Sequence, residues 1–66
     1  MNIILNGETQ ALTDGATVAD LIKTLGYEGK RIAVERNGEI VPKSRHGQTP
    51  LADGDALEIV VAVGGG

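Results

Sequence analysis

The sequence predicts a small α+β domain, in which one helix packs across one face of a mixed sheet of four to five strands. Three observations lead to this prediction. Short apolar segments alternate in the manner of strands, a single segment has helical periodicity, and glycine-containing turn pairs separate these segments. With 66 residues, the chain is long enough for one domain only.

The first strand is predicted over residues 2–6, which are apolar at three successive positions. Because side chains alternate between the two faces of a strand, Ile4 faces away from its two apolar neighbours. A weaker second strand over residues 9–13 closes a hairpin across Asn6-Gly7, and Asp14-Gly15 ends this part of the chain.

A helix is predicted over residues 18–25. Thr17 is a favourable N-cap, and Asp20 stands three positions later, where a capping box has its acidic partner. Gly26 is placed to end the helix in a left-handed conformation. The spacing of the apolar residues creates one buried face, which consists of Val18, Leu21, Ile22 and Leu25.

Three further strands complete the sheet. Strands over residues 31–36 and 39–41 flank Asn37-Gly38, a pair favoured in two-residue hairpin turns. Residues 43–55 are polar and are predicted to form an irregular loop with room for one short helical turn. The most apolar strand, residues 56–63, is expected at the centre of the sheet beside the first strand. This arrangement is the β-grasp, or ubiquitin-like, fold.

Composition excludes several classes of function. Six basic residues against nine acidic ones give a net charge of −3, which argues against a nucleic-acid partner. The absence of cysteine excludes disulfides, thiolate metal sites and a cysteine nucleophile. No apolar run is long enough to span a membrane and no leader is visible, so we expect a cytoplasmic protein without a membrane partner. The lone His46 and the scattered acidic residues argue against an independent enzyme.

The end of the chain carries the chemistry that we expect. We predict a single domain over residues 1–63 and a flexible, reactive tail made of Gly64, Gly65 and Gly66. Without side chains, such a tail can enter a narrow channel and present the Gly66 carboxylate, which is ionised at neutral pH. A carboxylate donates its acyl group only after activation, for example by adenylation. Terminal glycines are also typical of a disordered end that has no function.

Several motifs occur in a characteristic order along the whole chain. They are residues 2–7, Thr17-Val18-Ala19-Asp20-Leu21, the hairpin at residues 36–42, Leu51-Ala52-Asp53-Gly54-Asp55, and the strand 56–63 that runs into glycines. In these motifs the chain resembles the ThiS family, the small sulfur carriers of thiamine thiazole synthesis. The family signature ends in two glycines, and this chain has three.

The resemblance implies a protein cosubstrate and not an enzyme. An adenylating enzyme related to ubiquitin-activating enzymes would consume ATP and convert the Gly66 carboxylate to an acyl-adenylate. Sulfur from a persulfide donor would displace AMP and leave a thiocarboxylate on Gly66. Thiazole synthase would then admit the tail, including Gly64 and Gly65, and take the sulfur. The carrier itself is expected to bind no cofactor or metal and to be a monomer when free.

A docking patch is predicted on the sheet face opposite the helix. Val60 and Ala62 point away from the helix if their neighbours in the last strand face it, and Ile4 and Ala33 join them. Isolated exposed aliphatic residues are common, but a contiguous apolar patch beside a reactive end indicates a site for partners. The basic cluster at Lys43, Arg45 and His46 is expected to be a solvated loop.

Three alternatives share these features. A carrier subunit of the molybdopterin-synthase type uses the same terminal chemistry, although such carriers are usually longer and contain aromatic residues. A TGS-like regulatory module has similar turns, but it belongs to a larger protein and gives a free Gly-Gly end no role. A conjugating tag would join Gly66 to lysines through an isopeptide bond.

Overall fold

Five strands, one α-helix and one 3₁₀ helix make up the structure, a computed structural model that describes residues 1–62. Their order along the chain is the predicted one. The elements are β1 (Asn2–Leu5), β2 (Glu8–Ala11), α1 (Val18–Thr24), β3 (Ile32–Arg36), β4 (Glu39–Ile40), the 3₁₀ helix (Lys43–Gln48) and β5 (Ala56–Val61).

The most apolar strand, β5, occupies the centre of the sheet. The strand order is β2-β1-β5-β3-β4, and β5 runs parallel to β1 and antiparallel to β3. At the centre, the main-chain groups of β5 have hydrogen-bonding partners on both edges of the strand. Its core face carries apolar side chains, as burial at this position requires. The order confirms the predicted β-grasp fold. The strand ends at Val61, and the expected final position, Val63, lies outside the described residues.

Both predicted hairpin turns are present. Asn6 and Gly7 have φ values of 50° and 85°, and Asn37 and Gly38 have φ values of 51° and 85°. Two successive positive φ angles are what a type I′ turn requires, and Asn-Gly tolerates them best. The tight first turn places Glu8 opposite the last residue of β1, so β2 begins one residue earlier than predicted.

The helix begins with the predicted capping box. The Thr17 hydroxyl accepts a hydrogen bond from the Asp20 amide at 3.2 Å, and the Asp20 carboxylate accepts one from the Thr17 amide at 2.9 Å. Leu25 is the C-cap, and Gly26 follows with a φ of 74°, as a left-handed helix end requires. No helix within residues 1–62 is long and apolar enough to cross a membrane.

The core is aliphatic and lies between the helix and the sheet. Its most deeply buried side chains are at most 1% exposed, and they come from β1, α1, β3 and β5. They are Ile3, Val18, Leu21, Val34 and Leu57. Tyr27 packs against the edge of this cluster, as expected for a residue that follows the end of the helix.

The segment predicted as an irregular loop with room for one short helical turn contains a 3₁₀ helix, which packs beside α1. Main-chain hydrogen bonds hold the residues after it against the start of the helix. The Val18 amide donates to the Thr49 carbonyl at 3.0 Å, and the Leu51 amide donates to the Ala16 carbonyl at 2.9 Å. These bonds close one edge of the core, which explains why Leu51 is buried.

Among residues 1–62, Asp55 is the charged residue that is buried. It connects the loop before β5 with the β3–β4 turn. Its carboxylate accepts hydrogen bonds from Arg36 Nε at 2.8 Å, from the Ala52 amide at 2.8 Å and from Asn37 Nδ2 at 3.1 Å. Burial by itself raises the pKa of Asp55. The hydrogen bonds from Ala52, Arg36 and Asn37 outweigh burial and bring the pKa below its ordinary value.

We predict that Asp55→Asn lowers the free energy of unfolding by about 1–3 kcal/mol at neutral pH, since the charged acceptor of three hydrogen bonds is lost. A carboxyl whose pKa is depressed in the folded state stabilises the fold above its unfolded pKa. That contribution disappears as the pH falls through the folded-state pKa. Urea unfolding at several pH values should therefore show the difference between the two proteins shrinking below about pH 4. A difference independent of pH would contradict this role for the ionised carboxylate.

A second prediction compares two neighbours on β5. Ile59 is 5% exposed, whereas Val60 on the opposite face is 64% exposed. We expect Ile59→Ala to lower the free energy of unfolding by about 2–5 kcal/mol, because it leaves a cavity in the core. Val60→Ala, the matched control, should cost less than about 1 kcal/mol. Equal losses in urea titrations would show that both faces of the strand are covered.

Candidate functional site

The strand that leads to the glycine tail is held firmly on its β3 side up to the last described residue. Val61 lies opposite Ile32, and the Ala62 amide donates a hydrogen bond to the Arg31 carbonyl at 2.9 Å. The position from which residues 63–66 continue is therefore fixed beside the start of β3. The predicted tail residues Gly64, Gly65 and Gly66 lie outside the described residues.

On its other side, beyond the end of β1, β5 is held by hydrogen bonds to a side chain. The side chain of Asn6 accepts a hydrogen bond from the Ile59 amide at 2.9 Å and donates one to the Ile59 carbonyl at 3.2 Å. The side-chain amide thus imitates the main chain of a neighbouring strand. The sequence predicts Asn6 as the last residue of the first strand and the first residue of the turn. It does not indicate the contact with Ile59, because an Asn before a Gly is already explained by turn chemistry.

The four predicted docking residues are all exposed on the sheet face opposite the helix. Val60 and Ala33 are register partners on adjacent strands, and Ala62 follows on the same face of the chain. Val60 and Ile4 are large apolar side chains with exposures of 64% and 40%. The alternation predicted for β5 is therefore the one that the structure has.

These residues form two groups rather than one continuous patch. Ile4 is the register partner of Ala56, whereas Val60 stands four residues further along β5. At about 3.3 Å per residue, this separates Ile4 from Val60 by about 13 Å along the strand. The patch beside the tail consists of Val60, Ala33 and Ala62, which we call the tail-side patch.

A row of carboxylates lies between the two apolar groups. Glu35 and Glu58 are register partners and therefore point to the same face. Neither of them forms an ion pair with a basic group of residues 1–62. Ile40, which is 66% exposed, is the register partner of Glu35 on β4. The sequence pattern does not single out Ile40, although the two-residue turn fixes its register and thus its face.

The basic cluster predicted as one solvated loop is divided by the fold. Arg45 lines a groove that also contains Arg36, while Lys43 and His46 line a second groove. The second groove brings them next to Lys30 and Arg31. His46 Nε2 lies 3.1 Å from the carbonyl oxygen of Val41, so the ring contacts the chain just before the 3₁₀ helix.

Comparisons with known proteins agree with this geometry. A sequence model described as the ThiS family matches residues 3–66. The chain is 43% identical over 63 residues to the sulfur carrier protein ThiS of Bacillus subtilis, and the match covers 94% of this chain and 96% of that one. The crystal structure of the thiamine biosynthesis protein ThiS from Geobacter metallireducens covers all of both chains with a TM-score of 0.84 and 30% identity.

A further relative is much longer. The thiazole synthase of Paramagnetospirillum magneticum is 47% identical over 66 residues, and the match covers all of this chain but 20% of that protein. The chain thus spans about a fifth of the thiazole synthase that it matches. Because the family model covers nearly the whole chain and the Bacillus subtilis carrier matches it along nearly its full length, this chain belongs to the ThiS family.

Proposed function

We propose that this chain is the sulfur carrier of thiamine thiazole synthesis and that Gly66 carries the sulfur as a terminal thiocarboxylate. The observation that carries the proposal is the family match, which extends through the three glycines to residue 66. The fold supports it, since β5 leads into the tail from a fixed position beside Arg31. The proposed chemistry requires that Gly66 is the C-terminal residue of the functional protein.

The proposed chemistry begins with activation of the carboxylate. An oxygen of the Gly66 carboxylate attacks the α-phosphorus of ATP, and pyrophosphate leaves. The terminal sulfur of a persulfide then attacks the acyl-adenylate, and AMP leaves. The resulting acyl disulfide is cleaved by a second thiol, which is oxidised to a disulfide and releases the thiocarboxylate. In this scheme the adenylating enzyme and the persulfide donor supply the reactive groups, and the carrier supplies the acyl group.

Thiazole synthase is the proposed acceptor of the sulfur. Two proteins named thiazole synthase, from Paramagnetospirillum magneticum and Magnetococcus marinus, contain a segment that matches this chain along its full length. A carrier-like domain within the same polypeptide as the synthase is consistent with a productive contact between the two. A tail of glycines suits a narrow entrance, because no Cβ atom widens it.

We further propose that the tail-side patch docks onto the partner enzymes. Val60 and Ala33 place apolar surface next to the point where the tail begins, and Ala62 continues it. An enzyme that takes in the tail has to cover the surface around its base. Burial of Val60 in such a contact is favourable, since the side chain is largely exposed in the free protein.

A third prediction concerns the terminus. After incubation with the adenylating enzyme, ATP and a persulfide donor, the intact mass should rise by about 16 Da, because sulfur replaces one oxygen. Fragmentation should place the change on Gly66. The untreated protein provides the mass that verifies Gly66 as the last residue. A protein whose Gly66 carboxylate is blocked as an amide should keep its fold and show no such rise; a rise in that protein would contradict the proposal.

A fourth prediction concerns docking. Val60→Asp should weaken binding to thiazole synthase by about tenfold, because a charge replaces an apolar group at the centre of the contact. Ile40→Asp is the matched control, since Ile40 is equally exposed on the same sheet face but lies on the edge strand β4. Titration calorimetry of the two folded variants measures the difference. Wild-type affinity in Val60→Asp would remove the tail-side patch from the interface.

A further inference from the structure

Basic side chains from two separate segments meet in a groove beside the end of β5. Lys30 and Arg31 come directly before β3, whereas Lys43 and His46 belong to the 3₁₀ helix. Within the part of the chain that the structure describes, no acidic side chain lines this groove. Its lining consists of Gly29, Lys30, Arg31, Ile32, Lys43 and His46, and we call it the basic groove.

The basic groove is not explained by the stability of the fold. Lys30, Arg31 and Lys43 are exposed, and none of them forms an ion pair with an acidic group of residues 1–62. Like charges that gather without counter-charges repel one another and disfavour the compact state. The Lys30 ammonium lies 5.8 Å from the centroid of the Tyr27 ring, a cation–π distance that orients it at the surface.

The position of the basic groove connects it with the tail. The Arg31 carbonyl accepts the hydrogen bond from Ala62, so the groove adjoins the last described residue of β5. A typical protein interface covers about 800 Å² on each partner. That is about a fifth of the 4393 Å² surface of this chain. A contact of ordinary size around the base of the tail therefore reaches the basic groove.

We propose that the basic groove is a docking surface for carboxylate side chains on thiazole synthase, at the rim of the entrance that receives the tail. This inference rests on the proposed function and adds the charge that the acceptor must present. A protein surface fits better than a nucleic acid, because the net charge of −3 repels a polyanion while a local basic cluster still attracts local carboxylates. Complementary charges at the rim speed up association and orient the tail before contact.

The test compares two double variants that change the net charge equally. Arg31→Glu/Lys43→Glu reverses the basic groove and leaves the contact between Lys30 and Tyr27 intact. Lys23→Glu/Arg45→Glu is the control, because both residues are exposed and neither lines the basic groove. Circular dichroism melts first verify that both variants fold. Stopped-flow association with thiazole synthase is then measured at about 50 mM and about 300 mM salt.

We expect the groove variant to associate about tenfold more slowly than wild type at low salt, whereas the control stays within about twofold. At high salt the difference between them should shrink, because the charges are screened. If association slowed equally in both variants, net charge would be the cause, and the proposal would be overturned. Association of the groove variant at the wild-type rate would also overturn the proposal. Binding of a DNA duplex by wild type, if the groove variant lost that binding, would overturn it as well.

The same proteins separate this inference from the proposed function. In one outcome, wild type gains the mass of a thiocarboxylate and binds thiazole synthase, and the groove variant binds equally fast. This outcome overturns the docking surface but not the carrier function. Wild type that gains no sulfur and does not bind thiazole synthase overturns both.

Discussion

The pairing of β5 with β1 on one side and β3 on the other is the constraint on which the rest of the structure depends. This register places Leu57 and Ile59 in the core and Val60 on the open face. A slip by one residue would exchange the two faces and bury the wrong side chains. Since the Ala62 amide bonds to Arg31, the same register fixes the base of the tail.

Side chains hold β5 at both of its ends. At its start, Asp55 ties the loop before the strand to the β3–β4 turn through Arg36 and Asn37. Near its end, Asn6 bonds to both main-chain groups of Ile59, which extends the support beyond the short pairing with β1. A rigid base for the tail is useful to a carrier, because an enzyme that recognises the domain then finds Ala62, from which the tail continues, in a defined position.

The surface around the tail differs from one side to the other. The tail-side patch is apolar, the row of Glu35 and Glu58 adjoins it on the open face, and the basic groove lies between β3 and the 3₁₀ helix. A partner that matches all of these features can approach in one orientation only. Apolar burial supplies affinity in such a contact, and the charges supply orientation and discrimination between partners.

The sequence by itself determined the order of elements, the capped helix, both Asn-Gly turns and the central place of the last strand. Each of these depends on neighbours within a few residues or on the alternation along one strand. Only the tertiary structure decided the separation of Ile4 from Val60, the bond of Asn6 to Ile59, and the meeting of Lys30 and Arg31 with Lys43 and His46. These results depend on register and packing between segments far apart in the chain, which no local pattern specifies.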